Sequence, residues 1–486
     1  MRIERQQDAT VKLEPVVQVD TGFGQEGAAM LRAIWAALGQ PAELLDHARV
    51  TGEGELPSVY AVTDLAVASI GAAALAMAAL LARRRERVPA VVVDRVLASR
   101  WFSRSIQPLG WSLPPAWDAI AGDYEARDGW IRLHTNAPHH RRAALRALGL
   151  DPAHADIDRG RVAAAVRSEC ARELERRVVD QGGCAAEMRS EQAWAEHPQG
   201  IAVRAEPLVA VCDVDAGSTR ADWPLPAQRP LDAIRVLDLT RVLAGPVATR
   251  FLASYGAHVL RVDPPHWEEP VAAPEMTLGK QRARLDLKSA EGRASFEGLL
   301  IRADVLVHGY RSDALERLGL GEHRRRELNP GLVDVCLDAY GWTGDWRARR
   351  GFDSLVQMST GIAEAGMRLL GRPAPTPLPV QALDHATGYL LAAAVLRGLA
   401  RRIDHGGGSS ARASLARTAA LLTDISHARR RDAAALRDEQ PGDYAPEIER
   451  TAWGPARRML PPYAIEGTSA RWSLAAGNLG DGQARW

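Results

Sequence analysis

Short apolar runs alternate with longer helical stretches through the second half of the chain. Residues 234–239 (IRVLDL), 257–263 (AHVLRVD), 303–307 and 332–337 read as strands, and residues 245–255 as a helix between the first two. A turn and a helix in LDLKSAEGRASFEGLLIRA separate the second strand from the third. Strands alternating with helices of about ten to fifteen residues predict an α/β fold, a doubly wound parallel sheet of Rossmann-like form, over 233–429. The first half reads differently. Residues 28–116 are helix-rich, with one short apolar run (89–93) as a candidate strand. Over 117–212, GDYEARDGWIRLHTN predicts a hairpin about Asp128-Gly129. HHRRAALRALG and VAAAVRSECARELERRVVDQGG then predict amphipathic helices, the second ending at Gly182-Gly183. This is the pattern of a smaller α+β domain. Residues 1–27 read as a polar lead-in, 213–232 as an aperiodic linker, and 430–486 as a C-terminal segment.

An internal repeat links the halves. VTDLAVASIGAAALAMAALLARR (62–84) and ALDHATGYLLAAAVLRGLARR (382–402) each place an aspartate, Asp64 or Asp384, at the start of an Ala/Leu-rich helix ending in paired arginines. VVVDRVLAS (91–99) matches SSARASLAR (409–417), and YEARDGWIRL (124–133) matches YAIEGTSARWSL (463–474) more weakly. No second sheet-forming segment is visible before Asp64. The run LAVASIGAAALAMAALLA (65–82) is uncharged over a length that reaches the spanning range. Alanine contributes little transfer energy, Asp64 stands at the entrance, and the matching helix carries Arg397. The run is therefore read as a buried core helix and not as a membrane span.

Composition narrows the function classes. The 486 residues are 46% hydrophobic and 25% charged, an ordinary soluble composition with room for several domains. Lys and Arg number 61 against 60 Asp and Glu, so charge gives no case for nucleic acid or an anionic membrane as the main partner. Cys170, Cys184, Cys212 and Cys336 form no CxxC pair, and the first residues show no apolar signal region. Reduced thiols in a cytoplasmic protein are the expectation.

Asp384 is the first candidate for chemistry, because a helix N-terminus stabilises a carboxylate. The residues alone leave two readings, a capping residue or a functional carboxylate, and Asp64 has the same two. The strand-to-helix turn in LTRVLAGPVATR is a natural anion site, although neither a GxGxxG nor a P-loop pattern is present. Arg241, Lys280, Arg282, Arg311, Arg317, Arg349 and Arg350 allow a phosphate-bearing ligand; the bland alternative is a solvated arginine-rich surface. GGGSS (406–410) reads as a connecting turn. His139-His140 and the other histidines lack metal-ligand spacing, so no metal is expected.

VLDLTRVLAGPVATRFLASYGAHVLRVDPP, GKQRARLDLKSAEGRASFEGLLIRADVLVHGYRSDALERLGLG, LNPGLVDVCLDAYGWTGDWRARRGFDSLVQMSTG and ALDHATGYLLAAAVL, in this order, resemble the family III CoA-transferases (CaiB/BaiF family). The resemblance covers about residues 234–422; the first half resembles only later portions of the same family. It implies that Asp384 is a nucleophile attacking an acyl-CoA thioester, kept ionised by the helix N-terminus, and that coenzyme A passes to a small carboxylic acid through aspartyl intermediates. It also implies CoA contacts at Thr240, Arg241, Val242, Leu243, Ala244, Lys280, Arg282, Tyr310, Arg317 and Arg350. Family members form interlocked dimers, so a homodimer or a pseudo-dimer within one chain is expected. Residues 430–486, a partial small-domain copy, would need completion by the first half or by a partner chain. Gly309 and Pro264 depart from the family pattern. Asp64 lacks the preceding CoA loops and is read as a structural relic or as half of a pseudo-symmetric pair. Two alternatives accompany the transferase reading: an α-methylacyl-CoA racemase, disfavoured because Gly351-Phe352-Asp353 stands where that branch has Gly-His-Asp, and an inactive CoA-binding family member.

Overall fold

A computed structural model describes residues 22–85, 87–154, 157–215, 223–432 and 434–486. Of the expected lead-in and linker, residues 1–21 and 216–222 lie outside the described residues. The large sheet has seven strands, in the order Lys280–Arg284, His258–Asp263, Arg235–Leu239, Val305–His308, Val333–Asp338, Gly408–Ser414 and Ala210–Val214. All neighbours are parallel except the last pair. The central strand Val305–His308 is buried along its whole length, as a strand covered on both faces must be. This is the doubly wound α/β sheet that the apolar runs predict. Ala210–Val214 comes from the segment assigned to the small domain.

The helix Ala382–His405 crosses from Val333–Asp338 to Gly408–Ser414 and ends at Gly406, whose φ of +74° a non-glycine residue would adopt only with strain. GGGSS is thus a turn only at its first two glycines; Gly408 already belongs to the strand. The first half repeats the unit in reduced form. Ala48–Thr51 leads to the helix Val62–Leu81 and then to the parallel strand Val91–Asp94. Ala48–Thr51 corrects the expectation of no strand before Asp64: four residues carrying Arg49 and Thr51 are too short and too polar to show a strand period. The helix Val62–Leu81 is long and apolar enough to cross a membrane, and all its residues are buried inside the fold. It packs along Ala382–His405, where alanine side chains on both helices contribute to one continuous core.

The two units exchange strands. Gly408–Ser414 pairs antiparallel with Ala210–Val214 of the first half, and Val91–Asp94 pairs antiparallel with Tyr463–Ile465 of the second. Residues 463–465 are therefore an exchanged strand and not the counterpart of the 124–133 hairpin, as the weak match had it. The second half's hairpin is Tyr444–Thr451 with Gly454–Met459, completed by Ile106–Pro108 from the first half.

The small domain holds the antiparallel strands Gly122–Ala126, Gly129–Leu133 and Ala185–Glu187 with a core of its own, including Tyr124, Ile131, Leu145, Val162 and Leu174. The long helix expected up to Gly182 is two, Arg159–Val166 and Ala171–Asp180. The chain breaks between them because Arg127 donates its backbone N–H to Glu169 and Ala171 donates its own to Asp128 Oδ1, tying the break to the hairpin turn. Cys184 and Ala186 of this domain pack on Leu355, Met358 and Ala363, so the first half's small domain lies against the second half's large one.

Candidate active site

Strand Arg235–Leu239 carries Asp238 into the interior, where it organises the next turn. Asp238 Oδ1 accepts from the Thr240 N–H at 2.9 Å and the Thr240 hydroxyl at 2.5 Å. Its Oδ2 accepts from the Thr249 hydroxyl at 2.6 Å and Lys280 Nζ at 2.9 Å. The turn enters helix Ala244–Ser254 at Gly245, where a Cβ would come within 2.2 Å of the Thr240 side chain. Between these anchors Val242 is left-handed, at φ +66°. A β-branched residue pays about 1–3 kcal/mol for that conformation unless its surroundings enforce it. Glu269 enforces it: buried, it accepts from the Val242 N–H at 2.8 Å, from Trp267 Nε1 at 2.8 Å and from Arg261 Nη2 at 2.7 Å.

The predicted basic residues divide. Arg241 lies between two aromatic rings, 4.7 Å from the Trp267 centroid and 5.3 Å from that of Tyr310, and donates to the Tyr310 hydroxyl at 3.1 Å. Arg311 titrates below its usual value because it is partly buried and faces the like charge of Arg350 and, less strongly, of Arg317. Arg350 is exposed and donates to the Gly182 carbonyl at 3.2 Å, while Arg317 pairs with Asp313. Arg241 thus meets Tyr310 at the strained turn formed by Thr240, Val242, Leu243 and Ala244, and Arg311, Arg317 and Arg350 share one basic neighbourhood. Two predicted contacts do not join them. Lys280 is fully buried, its ammonium committed to Asp238 and the Pro246 carbonyl, and Arg282 is paired with Asp481 of the C-terminal segment. Arg349 also turns away, to Glu175 at 2.8 Å.

Asp384 is the third residue of its helix, and the residue at the N-cap position is Gln381. Capping is performed from outside: Asp353 Oδ2 accepts the Asp384 N–H at 2.9 Å, and the Gln357 amide donates to Asp353 Oδ1. This settles the choice between capping residue and free carboxyl at Asp384. Among the described residues no hydrogen bond holds its carboxyl, which is 7% exposed. Burial, and then the charge of Asp353, push Asp384 well above the usual carboxylate range. Asp353 is raised by burial to about 6 and held there by the Asp384 N–H and Gln357. The expectation that the helix N-terminus keeps Asp384 ionised is therefore corrected. The helix amide is spent on Asp353, and burial together with the Asp353 charge favours the protonated form of Asp384.

Asp64 has a different setting. Arg95 donates to it at 2.7 Å, both side chains nearly buried, and Arg95 also reaches Glu55 at 3.0 Å. Arg95 is the first residue of its helix, where the second half has Leu415. The repeat thus keeps the aspartate and neutralises it. Sequence reasoning passed over Asp353, Trp267 and Glu269 as site residues. Asp353 stands beside Phe352 in the sequence, but its partner is a backbone amide thirty-one positions away, which no local pattern reports. Among the described residues no group of three or more His, Cys, Asp or Glu side chains is placed to hold a metal ion.

Residues 231–454 match the family model described as CoA-transferase family III. This region is similar to that family. The chain is 30% identical over 311 residues to a Gibberella moniliformis protein named acyl-CoA transferase, covering 60% of this chain and 54% of that one. It is 36% identical over 196 residues to a Mycobacterium tuberculosis protein named probable fatty acyl-CoA transferase, covering 37% and 48%. A crystal structure of that mycobacterial protein aligns at 32% identity and a TM-score of 0.37, covering 46% of this chain and 63% of the other. The chain spans about half the length of the curated relatives it matches. The matched family III region contains the strained turn, the basic cluster, Asp353 and Asp384.

Proposed function

We propose that this protein is a CoA-transferase that moves CoA from an acyl-CoA to a carboxylic acid, with Asp384 as the covalent carrier. The observation that carries the reading is the Asp353–Asp384 arrangement inside the family III region: a buried carboxyl relieved of capping and free to react. Asp384, once deprotonated, attacks the thioester carbonyl; the C–S bond breaks, CoA thiolate leaves, and a mixed anhydride forms. The thiolate then attacks the Asp384 carbonyl, releasing the donor acid as its carboxylate and leaving an aspartyl-CoA thioester. The acceptor carboxylate attacks the same carbonyl and expels the thiolate. Thiolate attack on the acceptor carbonyl finally frees Asp384. The cycle has no net proton change. In this reading CoA is a substrate that lies along the Arg241 turn, and one chain supplies both halves of the interlocked arrangement. Phe352 cannot carry a proton, which favours transfer over racemisation. The test is mass spectrometry of the protein with a panel of acyl-CoA donors and acids, with hydroxylamine trapping on Asp384. A trapped adduct and exchanged CoA support the reading; rapid solvent deuterium entry at the α-carbon without any acceptor acid overturns it in favour of racemisation.

Two further outcomes follow from the geometry. Glu269→Ala removes the acceptor that holds Val242 left-handed, and is expected to raise KM for acyl-CoA about tenfold with kcat changed less than about twofold, a loss of ground-state and transition-state binding together. Adding Val242→Gly, which tolerates positive φ, recovers most of that loss in steady-state kinetics. Asp353→Asn keeps an oxygen for the Asp384 N–H while removing the like charge. Asp384 then ionises at lower pH, so the acid limb of the kcat/KM profile shifts down by about one unit or more. An unshifted limb would show that Asp384 does not govern it.

A further inference from the structure

Two histidines from the first half of the chain are buried against Phe352, the residue before Asp353, with three of their four ring nitrogens lacking a hydrogen-bond partner. His134 follows strand Gly129–Leu133, and His140 lies in the first turn of helix Pro138–Ala147. They are 7% and 3% exposed, and His134 Nδ1 and both ring nitrogens of His140 have no partner. Buried polar nitrogens in folded proteins are nearly always paired, and each unpaired one costs about 1–3 kcal/mol. Both rings lie against Phe352, His134 stacked on it at 3.7 Å and His140 edge-on at 5.8 Å. Phe352 directly precedes Asp353, and the Ser354 hydroxyl that follows is also buried and unpartnered. The charge of Arg350 acts on His139 and His140, that of Arg241 acts on His139, and that of Arg132 acts on both His134 and Asp353. The histidines thus feel the charge of the basic residues and touch Phe352, whose neighbour Asp353 accepts from the Asp384 N–H. Burial first, then neighbouring His and Arg groups, push both rings down to about 3, so each is neutral and offers one N–H donor and one acceptor. Unpartnered donors backed by arginine charge and by a helix N-terminus suit an anionic group that arrives with a ligand.

We propose that His134 and His140 hold the carboxylate of the acceptor acid beside Asp384, so that the first half of the chain binds the acceptor and the second half supplies the nucleophile. The assignment rests on the transferase reading above and names the group that recognises its second substrate. Neither histidine belongs to the family III region; HTNAPHH (134–140) reaches the site only because the small domain packs onto residues 352–363.

The experiment has a binding arm and a kinetic arm. Full-length protein with ¹⁵N-labelled histidine is titrated with succinate alone, the His134 and His140 signals being assigned by their loss in His134→Gln and His140→Gln. The expected result is a saturable shift of both signals that chloride at equal ionic strength does not produce. In turnover, each variant raises KM for succinate about tenfold or more, while the rate of Asp384 acylation by acyl-CoA alone stays within about twofold. His134→Asn, which keeps a nitrogen donor near the Nδ1 position, recovers part of the loss. Silent imidazole signals in the wild type, or a parallel fall of acylation and acceptor use in the variants, overturn the proposal. Saturable shifts in a wild type that forms no Asp384 adduct with any donor would sink the transferase reading while leaving a carboxylate site in place.

Discussion

Asp384→Asn is expected to lower kcat for CoA exchange between acids by about 10,000-fold, with no hydroxylamine-trappable adduct remaining. The amide matches the carboxyl in size but cannot form the anhydride, so every covalent step is lost together. The fold should survive, because what joins residue 384 to Asp353 is its backbone N–H. The side chain belongs to a buried pair whose charges repel, and burial together with Asp353 holds Asp384 protonated well above the usual range. A group raised in this way stabilises the fold most at pH below its unfolded pKa, and that contribution declines as pH rises through the folded value. The neutral amide escapes the decline, so the variant should melt at the same temperature as wild type or higher at neutral pH, measured by calorimetry. Asp64→Asn is the matched control, with turnover expected within about twofold of wild type, since Asp64 is tied to Arg95. Retention of CoA exchange by Asp384→Asn would refute the covalent assignment.

Lys280→Met is expected to destabilise the protein by about 3–5 kcal/mol, read from urea midpoints. Lys280 and Asp238 are both 0% exposed and 2.9 Å apart. Burial works against both ions and brings Lys280 down to about 8, whereas for Asp238 the charges of Lys280 and Arg261 and the Thr240 and Thr249 hydroxyls outweigh burial and leave the carboxyl below its usual range. Lys280 is the largest of the influences that offset burial at Asp238, so removing the ammonium leaves a buried carboxyl that only Arg261 and the two hydroxyls compensate. The double variant Lys280→Met with Asp238→Asn should recover at least half of the loss, because replacing both ions avoids the uncompensated one. A stability loss of less than about 1 kcal/mol in the single variant would show that Asp238 finds another counter-charge. The turn that carries Val242 hangs from Asp238, so the single variant should also raise KM for acyl-CoA, and the double variant should restore it in part.

The sequence by itself determined the class of fold, since apolar runs separated by helical stretches bury their residues only in a doubly wound sheet, and the strands at Arg235–Leu239, His258–Asp263, Val305–His308 and Val333–Asp338 lie where that pattern put them. It also determined that two aspartates begin matching helices, because an Ala/Leu-rich run with paired arginines repeats locally. Tertiary structure decided which aspartate is free. Asp64 meets Arg95, whereas Asp384 meets Asp353, and each partner lies thirty-one residues away along the chain. It decided that Lys280 and Arg282, basic in sequence, are spent on Asp238 and Asp481, and that a four-residue polar strand completes a second, smaller unit. It also decided that histidines of one half pack on Phe352, next to Asp353, of the other. The physical reason is common to all of these: periodicity and helix signals act over a few neighbouring residues, while burial, charge pairing and strand exchange depend on which distant segments share one interior.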